Sequence, residues 1–375
     1  MVGLGRSAPM CCVAPVSERD GGVSNVFENN FDGSRLALVN TRPTIHDVAA
    51  AAGVSLATVS KAVNGRYGVS PETTAKVMAV VDALGYESSL VASSMRARRT
   101  GVIGVLVADF EPFSSEVLKG VGTAVRQLGA EYDLLAYSGA HRGGADGWER
   151  RSLSRLSGTL IDGAILVTPS VLTTPASVPV VAVDPHKGRA DLPSVEADSR
   201  GGAVQAVEHL VSRGHRRIGF LAGRPDLRSA SLREAGYALA LRSAGITRDP
   251  ALTRDGDFEM GAARRAARAL LDGPDRPTAV FAANDLSAIA VLRTAHELGL
   301  RVPDDLSVVG FDDIPEASRE QPALTTVRQP MHRLGSVATT MLFTLLEGGV
   351  IDRPEVQLPT RLVVRGTTGP VPAGR

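Results

Sequence analysis

From Gly101 onward the chain alternates short, almost purely apolar runs with longer amphipathic stretches, and this rhythm restricts the fold more than any other feature. Candidate strands cover 103–107, 134–137, 164–167 and 178–183, then 218–222, 279–282, 307–311 and a late 361–364. Amphipathic segments near 114–128, 147–157, 200–213, 231–244, 259–271, 286–298 and 329–346 lie between and after them. Strands apolar on both faces, joined through helices, belong to parallel sheets covered on both sides. There are too many strands for one small sheet, and a break near Asp198 separates two series that echo each other. The expectation is two α/β lobes.

Composition narrows the setting. The 375 residues predict about two to three domains. With 43% hydrophobic and 22% charged residues the chain is globular rather than disordered. Forty-one basic residues against 40 acidic exclude a uniformly basic binder, though not a small basic domain beside an acidic one. No apolar run approaches the roughly 18 residues of a membrane span. The only cysteines, Cys11 and Cys12, are adjacent, so they neither staple distant segments nor space a zinc site. Residues 1–40 lack any period and read as a disordered leader. Pro9 and Pro15 break its apolar stretch, which makes a poor secretion signal and favours the cytoplasm.

Residues 41–100 differ in kind. Thr44 precedes IHDVAAAA, which ends at Gly53, and Ser55 precedes LATVSKAVN, which ends at Gly65. Ser70 and Pro71 open a third helical pattern closed by Gly85, with Ser as cap and Pro in the first helical position. Seven basic residues here face four acidic ones, the asymmetry a nucleic-acid module needs. The spacing fits a helix–turn–helix: Gly53-Val54-Ser55 turns, and Ala49, Val54, Val59 and Val63 can pack the pair. Ser55, Leu56, Ala57, Ser60 and Lys61 then fall on the groove-facing side of the second helix.

Ligands of open parallel sheets bind beyond the carboxyl ends of the strands. Those ends carry Asp109 with nearby Phe113, then Thr168, Asp184, Asn284 and Asp312. Carboxylates, an amide and an aromatic ring converging on one cleft suit a polyhydroxylated ligand. Asp285 and Asp312 are also placed to cap following helices. Catalysis finds no support: the sequence has no G-x-S-x-G elbow, no phosphate-binding G-x-x-x-x-G-K-[ST] loop and no H-E-x-x-H. Gly120, Gly122 and Val125 imitate a dinucleotide fingerprint without its third glycine, inside a helical pattern. The seven histidines are scattered, and His215 reads as a cap for helix-end carbonyls rather than a metal ligand. We expect no metal, no cofactor and no enzyme.

TIHDVAAAAGVSLATVSKAVNG closely resembles the N-terminus of the LacI/GalR family of bacterial transcriptional repressors. The resemblance runs on through GYESSLVASSMRARRTGVIGVLVAD, GHRRIGFLAGRPDLRSASLREAGY, PTAVFAANDLSAIAVLRTAHELGLRVPDDLSVVGFDD, LTTVRQP and RLVVRGTT, covering 42–368. It implies a homodimer whose helix–turn–helix units read a pseudo-palindromic DNA operator. It also implies a hinge helix that enters the minor groove, and a core like the periplasmic sugar-binding proteins with an effector between its lobes. By this resemblance the DNA-contacting positions are Leu56, Ala57 and Lys61, with Thr44, Ser55, Thr58, Ser60, Asn64 and Tyr86 nearby. The hinge positions are Ser89–Arg96, with Met95 as the wedge between bases. The effector positions are Asp109, Phe113, Thr168, Asp184, Arg233, Phe258, Asn284 and Asp312.

The expected organisation is a leader at 1–40, the helix–turn–helix domain at 42–88, hinge and linker at 89–100, the core at 101–368 and a tail at 369–375. Within the core the first lobe takes about 101–197 and 327–347, the second about 198–325 and 350–368. The expected function is an effector-responsive repressor of carbohydrate-utilisation genes. A purine-responsive repressor and a sugar receptor without a DNA role are the alternatives, the latter having no use for residues 44–95.

Overall fold

A computed structural model describes residues 43–63, 67–86, 99–129, 131–139, 147–170, 177–186 and 192–372. Its contacts divide the chain into two units, one ending at Glu87 and the other beginning at Ser88. The expected leader at 1–40 and the hinge positions Ser89, Met95 and Arg96 lie outside the described residues, as does Asn64.

The first unit holds three helices, α1 (Ile45–Ala52), α2 (Leu56–Val63) and α3 (Pro71–Leu84). Each boundary has a local cause. Thr44 donates its backbone N–H and its hydroxyl to the Asp47 carboxylate, both at 2.7 Å, which closes the first turn of α1. Gly53 ends α1 at φ 63°, a left-handed conformation that costs a side-chain-bearing residue energy. The Ser55 hydroxyl accepts the Thr58 N–H at 3.1 Å and starts α2, and that of Ser70 accepts the Thr73 N–H and starts α3. Val48, Ala49, Ala52, Val59, Ala62 and Val77 form the core, with Val54 and Val63 packed against it. Small residues let three short helices approach closely enough to exclude water.

The second unit opens with β1 (Val102–Val107), α4 (Pro112–Gln127), β2 (Asp133–Ser138), α5 (Trp148–Leu156), β3 (Gly163–Val167), β4 (Val180–Val183) and β5 (Ser194–Ala197). It continues with α6 (Ser199–Ser212), β6 (Ile218–Ala222), α7 (Arg228–Ser243), β7 (Thr253–Asp255), α8 (Met260–Leu271), β8 (Ala279–Ala282), α9 (Asp285–Glu297) and β9 (Ser307–Asp312). It closes with β10 (Thr325–Arg328), α10 (Met331–Leu346), β11 (Glu355–Leu358) and β12 (Arg361–Val363). One sheet has the order β11-β5-β4-β3-β1-β2, the other β12-β10-β9-β8-β6-β7. Every pairing is parallel except β10 with β12. The central strands are buried along their whole length, as doubly covered parallel strands must be.

The lobe boundaries differ from expectation at the later crossings. β10 pairs with β9, so the second lobe keeps the chain through Arg328. Helix α10 packs on α4, β3, β4 and β5, and β11 pairs with β5, so the first lobe regains the chain from Met331 to Leu358. The expectation of 350–368 in the second lobe is therefore corrected: only the stretch from β12 onward belongs there. The polar, half-exposed EVQL of β11 carries no strand-like apolar signal, because it is an edge strand. One glycine pair sets a helix distance: a Cβ on Gly120 or Gly335 would sit 2.2 or 2.3 Å from the facing backbone oxygen of α10 or α4. His215 also corrects expectation. It is fully buried, with Nδ1 2.9 Å from the Thr278 hydroxyl and Nε2 near Ser307 Oγ and the Gly369 carbonyl, so it ties the chain after β12 to the second sheet.

Candidate functional site

The carboxyl ends of both sheets face one cavity of about 280 Å³. All eight strand-end and helix residues expected around an effector line it: Asp109, Phe113, Thr168, Asp184, Arg233, Phe258, Asn284 and Asp312. They come from different elements. Asp109 follows β1, Phe113 begins α4, Thr168 follows β3 and Asp184 follows β4. Arg233 rises from the second turn of α7, Phe258 precedes α8, Asn284 caps α9 and Asp312 ends β9.

Arg233 anchors the floor. It is 4% exposed, donates Nη1 to the Ala283 carbonyl at 2.5 Å, and lies 3.4 Å from Asp312 Oδ1. Its guanidinium sits 3.9 Å from the Phe311 ring centroid and 5.6 Å from that of Phe258, which favours the cation over the π faces. Asp312 Oδ1 also accepts from Gln329 Nε2 at 2.7 Å. Burial pushes the Asp312 carboxyl up to about 7, against the opposing pull of Arg233. Burial likewise raises Asp184, which Arg233 and the Ser229 hydroxyl partly counter. Glu111 is raised by burial too, although it accepts from the Phe113 and Ser114 N–H groups and the Ser114 hydroxyl.

The backbone at these strand ends is bent into the left-handed region. Thr168, Asp184, Asp257, Phe258 and Asp312 have φ of 49°, 48°, 52°, 61° and 116°. Such conformations cost on the order of 1–3 kcal/mol each and persist where the surroundings over-determine them. Gly223 makes room for the Phe258 ring, since a Cβ there would lie 2.0 Å from it. The suggested capping role of Asp285 and Asp312 is corrected. Asn284 accepts the Ser287 N–H and caps α9, whereas Asp285 is buried and accepts from the Thr326 hydroxyl and the Ile314 N–H. Burial, with Asp312 nearby, raises Asp285 well above the usual carboxylate range.

Sequence reasoning missed Glu111, Gln329, His186 and the Arg224–Asp226 pair, which also line the cavity. Glu111 was legible as the cap before Pro112. Gln329 follows β10 just as Asp312 ends β9, so the strand-end rule reaches it once β10 is recognised. His186 and Asp226 sit in loops without a periodic signal; their ring and carboxylate are 3.9 Å apart.

In the first unit, Ser55, Leu56, Ala57 and Lys61 are exposed on or just before α2, with Leu56 40% exposed although it is a large apolar residue. Thr58 and Ser60 are half-buried beside them. Thr44 is exposed, its hydroxyl held by Asp47. Tyr86 instead packs half-buried against the three-helix core. Tyr67, after α2, is fully exposed and was not anticipated. Among the described residues no group of three potential ligands could hold a metal ion, and no helix is long and apolar enough to cross a membrane.

A three-helix unit with an exposed second helix, in one chain with a two-lobed parallel-sheet core around a polar cavity, defines a DNA-binding regulator that carries its own ligand sensor. The particular family follows from comparison: the chain belongs to the lacI family of bacterial regulatory proteins, whose model matches residues 44–89. A periplasmic binding protein-like domain matches 207–368. The ribose operon repressor of Escherichia coli K12 is 35% identical over 86% of this chain and 99% of its own. A transcriptional regulator CelR–cellobiose complex is 33% identical, covers 87% of this chain and 100% of that one, and superimposes with a TM-score of 0.64. The Lac repressor dimer bound to operator and an anti-inducer is 31% identical over 87% and 99%, with a TM-score of 0.73.

Proposed function

We propose that this chain is a cytoplasmic, homodimeric repressor of carbohydrate-utilisation genes, without enzymatic activity, whose affinity for a pseudo-palindromic operator changes when a sugar occupies the interlobe cavity. The observation that carries the reading is the convergence of strand ends from both sheets on one cavity floored by Arg233 and Asp312. A guanidinium donates to two ring hydroxyls at once, a carboxylate accepts from two, and Phe113 and Phe258 offer faces to a sugar's C–H surface. The cellobiose bound to CelR and the name of the ribose operon repressor support the ligand class. The exposed face of α2 supports DNA reading: Leu56 and Ala57 suit thymine methyl groups and Lys61 a guanine edge or phosphate.

Titration calorimetry of the full chain with pentoses, hexoses, disaccharides and purine bases tests the ligand class. Mobility shifts on DNA from upstream of its own gene, with and without the binding sugar, test the response. Saturable binding of a sugar that alters operator affinity is expected. Binding of a purine base alone, or of no DNA, overturns the reading.

A further inference from the structure

The donors and acceptors that line the cavity do not balance. Seven carboxyl groups and only two guanidinium groups line it. One guanidinium, Arg224, is already committed as a fork to Asp226, at 3.1 and 2.6 Å. Arg233 is the lining guanidinium left to face Asp184 and Asp312, with Arg228, paired to Glu196, also acting on Asp184, and Glu111 adding its field at Asp312. The lining hydroxyls of Ser114 and Ser170 are given to Glu111 and Glu149. The Asn284 amide is used at both ends, on the Ser287 N–H and the Phe258 carbonyl.

Two buried polar atoms at this floor have no hydrogen-bond partner among the described residues: the donor Arg233 Nε and the acceptor Gln329 Oε1. Gln329 is 3% exposed and lines the cavity. With Asp312 ionised, the amide nitrogen faces the carboxyl to which it donates and the amide oxygen is left without a partner. A buried acceptor without a partner costs about 1–3 kcal/mol, so the site favours a ligand that brings a donor to it. A sugar hydroxyl can serve Arg233, but every hydroxyl also brings acceptor lone pairs and no positive charge to carboxyls that burial holds toward their neutral form. An ammonium group has three donors, no acceptor and a positive charge.

We propose, resting on the sugar-effector reading above, that the effector is a sugar with a free, protonated amino group, its ammonium seated among Asp312, Gln329 and the neighbouring carboxyls. Arg233 and the aromatic rings then hold the hydroxylated remainder of the sugar. The charged mouth residues Asp109 and Glu259 add to the negative field that draws such a ligand in.

The test is calorimetry on the full chain at pH 7.0 with glucosamine, galactosamine and mannosamine, each beside its parent hexose and its N-acetyl derivative. At least one free amine binds tenfold or more tightly than both of its neutral partners, and Asp312→Asn collapses that ratio. If Asp312→Asn does not fold, the wild-type ratio decides alone. A parent hexose that binds as tightly as its amine overturns the ammonium and leaves the sugar reading standing. An N-acetyl sugar that matches the free amine overturns it equally, because the charge is then not read. If no sugar of any kind binds to protein that still binds DNA, both readings fall.

Discussion

Replacing Arg233 with methionine keeps an unbranched stem, two atoms shorter, and removes its charge and donors. At 3.4 Å from Asp312, and with an effective dielectric constant near 20, the attraction removed is about 5 kcal/mol before desolvation is counted. Breaking a buried pair typically costs about 3–5 kcal/mol, because the partner is left charged and uncompensated. The pH dependence follows from the partner. The Asp312 carboxyl titrates near 7 in the folded chain and at 3.8 in the reference state. The folded state therefore binds the extra proton between those values, and wild-type stability falls as pH rises from about 4 to about 7. Above 7 the wild type has released that proton and stops losing stability on this account. Without Arg233 the folded carboxyl holds its proton to higher pH, so the variant goes on losing about 1.4 kcal/mol per pH unit. At pH 5.5 the deficit is about 2 kcal/mol, from the lost charge-assisted bond to the Ala283 carbonyl. At pH 8.5 it grows by about another 2 kcal/mol. Urea unfolding of both proteins at the two pH values measures this. An equal deficit at pH 5.5 and 8.5 would show that Arg233 does not compensate Asp312.

Gly120→Ala pushes a methyl to within 2.2 Å of the His332 carbonyl, so α4 and α10 must part; we expect a loss of about 1–3 kcal/mol in thermal unfolding, and an unchanged midpoint would contradict the close crossing. Gly223→Ala expels the Phe258 ring from its place; effector affinity measured by calorimetry drops at least tenfold, and an unaltered affinity removes Phe258 from the binding surface. Lys61→Ala weakens operator binding by about 1–3 kcal/mol and relaxes preference at one operator position if Lys61 reads a base. A uniform loss with a salt slope smaller by about one assigns it to phosphate, and no change in either takes it out of the interface.

The two-sheet architecture was legible because doubly buried strands such as GAILV and SVVGFD have no polar face. Two of the four edge strands were not, because β7 and β11 are short and half-exposed and read like loops. The strand-end rule brought Asp109, Thr168, Asp184, Asn284 and Asp312 to one cavity without any knowledge of distances. Arg233 and Phe258 needed the resemblance, since one sits within a helix and the other before one. His215 was misjudged because its partners, Thr278, Ser307 and Gly369, lie 63 to 154 residues away in sequence, beyond any local pattern.

The way the chain passes between lobes sets an order for folding during synthesis. The first sheet gains its edge strand only when 355–358 pair with β5, and its covering helix only when Met331–Leu346 docks on α4. Both segments emerge after every helix of the second lobe has been made. A nascent chain thus carries β1 to β5 for well over a hundred residues with one face and one edge unprotected. The lobe that begins first finishes late. Gly120 and Gly335, which let α10 seat flush on α4, are accordingly positions on which the final covering of that apolar surface depends.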